Sequence, residues 1–199
     1  MTWITTATGA EVSLQQPRLA SINLATIAHH LAQINRFTGA TCRPYSVAEH
    51  SLLVCEIAER EFGLPSQGLL AALLHDAHEA FTNDLSTPVK AEIGAPWAAF
   101  EHRFERLIRS AFAIHVASTA HATAIKRADL IALATERAQL LPAGGTPWEV
   151  LHEVPTAPWV DLMSRKRCTA RWSDWRNAFS QRADALDFQR QEQARQLGR

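Results

Sequence analysis

The apolar run from Gly68 to Leu74, which leads straight into His75 and Asp76 and on to Ala80, constrains the fold more than any other segment. It is apolar on every side, so it predicts a helix buried among other elements rather than one lying on a surface. His75 and Asp76 would then be polar groups taken out of water. Such groups are costly unless they are paired or bound to a metal.

Helices able to surround it are predicted on both sides. From Asn23 the apolar positions Leu24, Ile27, Ala28, Leu31 and Ile34 repeat at helical spacing, and Gly39 and Pro44 close the segment. Ser46, with Glu49 three residues on, has the form of a capping box for a helix to about Phe62, stopped by Gly63 and Pro65. Further helices are expected from about Pro96 to Phe112, from about Ser118 to Leu141, and from about Ser173 into the tail. Residues 83–88 read as a loop. The exception to the helical pattern lies in residues 1–16, where strand-like alternation flanks Thr8-Gly9 and predicts a short hairpin. Residues 142–158 carry four prolines, two adjacent glycines and Trp148, and read as a lid-like connection before the C-terminal helix. The expected fold class is all-α, a helical bundle with a short N-terminal β-hairpin, in one domain over residues 1–199.

Composition narrows the function. The 20 basic and 20 acidic side chains cancel, which argues against a nucleic-acid or membrane-surface role. No apolar run approaches the roughly 18 residues that span a bilayer, and three cysteines without close spacing suit a reducing cytoplasm. The basic excess after Arg165 falls at helical spacing and reads as a solvated face.

Imidazole and carboxylate ligands suit Zn, Mn, Co or Fe, and a hydrolytic centre needs several of them around one open position. His50 lies one predicted helix before His75-Asp76, and Asp129 lies two after it, so four ligands can converge from three helices. On one continuous helix, His75 and Asp76 diverge by about 100° and flank one ion only where the helix end faces a cavity. Glu79 and Asp84 follow as proton-handling carboxylates. Lys126, one turn before Asp129, shares its face, and Lys90, Arg36 and Arg43 are further cations to offset phosphate charge. His29, His30 and His78 are read as structural.

The pattern of His50, His75-Asp76 and Asp129 resembles the H…HD…D signature of the HD-domain phosphohydrolases. Residues 75–90 are similar to the corresponding stretch of YfbR-like bacterial 5′-deoxynucleotidases, and Tyr45 to Ser51 resembles a segment of phage dATP triphosphohydrolases. This resemblance covers residues 1–141. It implies an HD-domain helical bundle in which His50, His75, Asp76 and Asp129 hold a divalent ion, Zn, Co, Mn or Mg, with a transition metal favoured. It implies Glu79 as the acid/base residue and Asp84 as a second catalytic carboxylate. It places Arg36 in the substrate pocket and Lys90 and Lys126 at phosphate. Phe37 stands where relatives often carry a Trp that packs on the sugar.

The implied activity is hydrolysis of the 5′-phosphate linkage of deoxynucleotides. The expectation is a dNTP triphosphohydrolase preferring dATP. The alternatives are a 5′-deoxynucleotidase that releases phosphate from monophosphates and a nucleotide-binding regulator without turnover. A small-molecule nucleotide is the expected partner. Relatives are dimers or larger, and Trp172, Trp175 and Phe179 form a stripe for the core or for a second subunit, so a homo-oligomer is expected.

Overall fold

Ten α-helices and one two-stranded hairpin form the regular structure of residues 2–197, the residues that the computed structural model describes. The hairpin pairs β1 (Trp3–Thr5) with β2 (Glu11–Ser13) in antiparallel register, Ile4 opposite Val12. The helices are α1 (Leu24–Leu31), α2 (Val47–Phe62), α3 (Ser66–Leu73), α4 (Glu79–Thr82), α5 (Thr87–Ile93), α6 (Ala95–Ala111), α7 (His115–Ala120), α8 (Ala122–Leu140), α9 (Arg165–Thr169) and α10 (Trp172–Leu197). The expected all-α class with an N-terminal hairpin is what the structure shows.

Helix α2 is the hub, packing against α3, α8 and α10. One continuous core runs from Val12 of the hairpin to Leu186 of α10, with Tyr45, Phe104, Phe179, Ile57 and Leu70 among its fully buried side chains. Gly68 permits close packing of α3, because a Cβ there would lie 2.8 Å from the His121 ring. The aromatic stripe of α10 serves the same core. Phe179 is fully buried and Trp175 packs against the core, which leaves Trp172 as its exposed member. Among the described residues no helix is long and apolar enough to cross a membrane.

The hairpin is tied to the interior by His30. The Ala7 N–H donates to His30 Nε2 at 3.1 Å, so Nδ1 carries the proton and donates to the Ala80 carbonyl at 2.7 Å. That structural role is the one expected for His30.

Two boundaries and one cap differ from the sequence reading. The helix expected across His75 ends at Leu73, and residues 74–78 form turns before α4 begins at Glu79. The helix expected from Ser118 is two, α7 and α8, which meet at His121. The capping box is half formed. Ser46 accepts the Glu49 N–H at 3.2 Å, but the Glu49 carboxylate turns away to Arg43 and Arg167. Two half-buried guanidinium groups outweigh one backbone donor.

Phe37 and Thr38 both adopt left-handed backbone, with φ of 55° and 51°. A β-branched residue there is strained by about 1–2 kcal/mol. Thr38 is exposed, so Thr38→Asn is expected to relieve strain without touching the core. A gain of about 1 kcal/mol would raise Tm by roughly 2–4 °C in a chain of this size. An unchanged or lower Tm would contradict the account of strain.

Candidate metal centre

The chain before α2 is pinned to its start by two backbone bonds, Arg36 N–H to the Tyr45 carbonyl at 2.9 Å and Val47 N–H to the Ile34 carbonyl at 3.0 Å. Together they place Arg36 beside the first turn of α2, which carries His50. The end of α3 at Leu73 matters most here. In a turn, His75 and Asp76 need not diverge as they would on a helix, and their side chains meet, Nε2 to Oδ2 at 3.1 Å. From the other side α8 presents Asp129 and, two turns later on the same face, Glu136.

These side chains converge on one point. His50 Nε2 lies 3.5 Å from Asp76 Oδ2 and 3.3 Å from Asp129 Oδ1, and His75 Nε2 lies 3.9 Å from Asp129 Oδ1. Ligands about 2.1 Å from one ion and roughly 90–110° apart are separated by about 3.0–3.4 Å, so the spacing fits a single small cation. The tautomers fit as well. His50 Nδ1 faces the Glu136 carboxylate at 2.5 Å and His75 Nδ1 faces the Ala72 carbonyl at 2.8 Å. Both partners only accept, so each Nδ1 carries a proton, and in the neutral ring that a metal ion would select each Nε2 presents a lone pair. The two Nε2 atoms are buried and have no hydrogen-bond partner. His50, His75 and Asp76 form a group that can hold a metal ion.

The electrostatics are those of a site built for positive charge. Burial alone would raise the Asp76 carboxyl, but His75 and His50 hold it well below the ordinary value. Asp129 is held down against burial by the same two histidines. Burial and Arg36 oppose a charge on His50, yet Glu136, Asp129 and Asp76 drive its pKa well above the usual value. Three carboxylates thus surround one imidazole, with the Arg36 guanidinium on two of them.

Glu136 anchors the far side. It is fully buried and accepts from Arg36 Nη2 at 3.3 Å, the Tyr45 hydroxyl at 2.9 Å and His50 Nδ1. Arg36, itself buried, reaches Asp76 with Nη1 at 3.7 Å and keeps a buried, unpartnered Nε.

Glu79 is 3% exposed, with one carboxyl oxygen unpartnered. Burial, then Asp76 and Asp84, push its pKa well above the usual value, so it retains a proton where ordinary glutamates have lost theirs. Asp84 is half-buried and follows Asn83, whose left-handed φ of 71° turns the chain at the end of α4. Its carboxyl is also raised by burial and by Asp76, with Arg36 opposing. Lys90 lies 3.8 Å from Glu79 and 2.7 Å from Glu101. Against burial, His78 and Lys90 hold Glu101 down at about 2. Lys126 is largely exposed and bonds Asp129 Oδ2 at 2.9 Å. Asp129 and Lys126 line one cavity of about 270 Å³ with His75, Asp76 and His78, in line with the expected common orientation of Lys126 and Asp129.

Ten of the eleven residues singled out in the sequence thus lie in or beside one cluster: His50, His75, Asp76, Asp129, Glu79, Asp84, Lys90, Lys126, Arg36 and, through contact with Arg36, Phe37. Arg43 is the correction. Its five N–H donors are taken by Glu49, the Leu162 carbonyl and the Pro44 carbonyl, so it ties the C-terminal segment to α2 and has none left for phosphate. Glu136 and Glu101 were missed. Glu136 stands seven residues after Asp129 in a largely apolar stretch, and that spacing was the available signal.

The fold and cluster define an all-α protein with a buried His/Asp group suited to a metal ion. No model of a known protein family matches the chain. It is 37% identical over 142 residues to an uncharacterized protein of Rhodobacter capsulatus, covering 69% of this chain and 72% of that protein. It is 32% identical over 163 residues to the uncharacterized protein YfdR of Escherichia coli, covering 82% and 86%. The chain belongs to the family of these two proteins.

Proposed function

We propose that the chain is a metal-dependent nucleotide phosphohydrolase of the HD-domain type, with His50, His75, Asp76 and Asp129 as the ligands. The observation that carries this reading is the pair of buried, unpartnered imidazole nitrogens aimed at two carboxylates. A divalent ion held there, a transition metal by the chemistry of its ligands, supplies a Lewis acid that acidifies a water and polarises a phosphoryl oxygen.

The protein's own residues supply the rest. Asp84 accepts the proton of the attacking water. Glu79, protonated by its burial, donates to the leaving oxygen as the phosphorus–oxygen bond breaks. Arg36, beside Asp76 through Nη1, and Lys126, which lines the cavity and is largely exposed, supply positive charge to offset that of phosphate. The preferred substrate is a deoxynucleoside triphosphate, dATP first, cut at the α-phosphorus to give deoxyadenosine and triphosphate. Lys90 favours the smaller alternative, a monophosphate, because its charge is already matched by Glu101.

The test is a product assay with Mn-, Co-, Mg- and Zn-loaded protein on deoxy- and ribonucleoside mono- and triphosphates, resolving nucleoside, phosphate and triphosphate. Triphosphate from dATP is the expected product. Phosphate from monophosphates alone would select the 5′-deoxynucleotidase, and no product with any metal would refute the enzyme.

A further inference from the structure

We infer that Glu101 is a specificity-determining residue, which sets how strongly the site favours a longer phosphate chain by withholding Lys90 from the substrate. The inference rests on the nucleotide reading above. Lys90 sits in the middle of α5, a helix that buries none of its residues. Gly94, with φ of 70°, turns the chain from α5 into α6, and the two helices pack together. That packing sets Lys90 beside Glu101, in the second turn of α6. The ammonium and the carboxylate form an ion pair at 2.7 Å, and Glu79 is the more distant partner at 3.8 Å.

The pair lies at the edge of the metal cluster on two sides. The Glu79 N–H bonds the Asp76 carbonyl at 3.0 Å, so Lys90 contacts a residue that itself contacts a metal ligand. Glu101 Oε1 also lies 3.5 Å from His78 Nε2, and His78 lines the cavity with His75, Asp76 and Asp129.

The side chain of Glu101 is 13% exposed and that of Lys90 29%, so salt screens the pair less than a fully solvated one. Glu101 is held down at about 2 and is ionised at neutral pH. The two charges cancel, and the pair adds little to the field felt by a phosphate. Lys90 still reaches solvent, so its charge acts on an incoming anion once that of Glu101 is removed. A triphosphate carries more negative charge than a single phosphate and gains more from each added cation. Glu101 therefore weakens the hold on the longer chain more than on the shorter one.

The test titrates inorganic triphosphate and inorganic phosphate, by calorimetry in excess Mg, into full-length wild type, Glu101→Gln, Lys90→Met and the double variant. Glu101→Gln should bind triphosphate roughly 3- to 10-fold tighter than wild type, Lys90→Met should bind it more weakly, and the double variant should return close to wild type. The spread should be smaller for phosphate and should shrink with added salt. Melting curves check the fold, and Glu101→Ala removes the same charge should glutamine disturb the packing. A Glu101→Gln no tighter than wild type would overturn the inference. So would a double variant as weak as Lys90→Met, which would mean that Lys90 meets phosphate in spite of Glu101, or binding of neither anion by any of the four proteins. The predicted order of affinities in a chain that hydrolyses no nucleotide would support the role of Glu101 and sink the hydrolase. Hydrolysis with anion binding indifferent to Glu101 would do the reverse.

Discussion

His75→Ala is expected to abolish divalent-ion binding and to reduce nucleotide hydrolysis to background, while the metal-free protein keeps its fold. The imidazole carries one of two buried Nε2 atoms without a partner, so its removal takes away a ligand, and the Ala72 carbonyl that loses the Nδ1–H donor still accepts the backbone N–H of residue 75 at 3.4 Å. Loss of a supporting partner alone costs 10- to 100-fold in affinity, and loss of a ligand should exceed about 100-fold. Glu136→Gln serves as the graded comparison. It keeps the shape that orients His50 but removes a charge shared with Arg36 and Tyr45, so metal affinity should fall within roughly the 10- to 100-fold range. Metal content by elemental analysis, with circular dichroism for the fold, reads both. Full metal loading of His75→Ala would remove the histidine from the centre.

Glu79→Gln is expected to lower kcat by about 10²- to 10⁴-fold with metal retained, because the amide keeps the shape but cannot pass a proton. The same substitution should leave a stability signature in chelated protein. Glu79 has a folded pKa well above its ordinary 4.5, so the folded chain holds a proton that the unfolded chain releases. Its contribution to stability is complete below pH 4.5 and is lost as pH rises through the raised folded value. Glutamine has no such dependence, so the Tm advantage of Glu79→Gln over wild type should widen as pH is raised from 4.5 toward 8. An advantage that narrowed instead would mean that the buried carboxyl is ionised and paired in the fold.

Much of this was legible before the structure, and the misses have physical reasons. The hairpin at Thr8-Gly9 and the Ser46 cap are local, set by residues no more than ten positions apart. The convergence of His50, His75, Asp76 and Asp129 was suggested by their placement on three predicted helices and by their resemblance to the H…HD…D pattern. The break after Leu73 could not. Residues 68–80 contain no proline and no internal glycine, and the turn that brings His75 against Asp76 is imposed by the packing around it. Glu136 escaped because an acidic residue on a long helix ordinarily faces water, and only contacts with residues 86 to 100 positions away make it a buried anchor. Arg43 failed for the same reason. Its partners Glu49 and Leu162 are six and 119 positions distant, and a count of cations cannot reveal which are already paired.

The most direct test is a metal titration of chelated wild-type protein, following bound ion and nucleotide hydrolysis together. The account predicts one equivalent of ion per chain, with hydrolysis rising in proportion to occupancy and absent throughout in His75→Ala. Hydrolysis that persists in the chelated protein, or ion bound equally by His75→Ala, would contradict it.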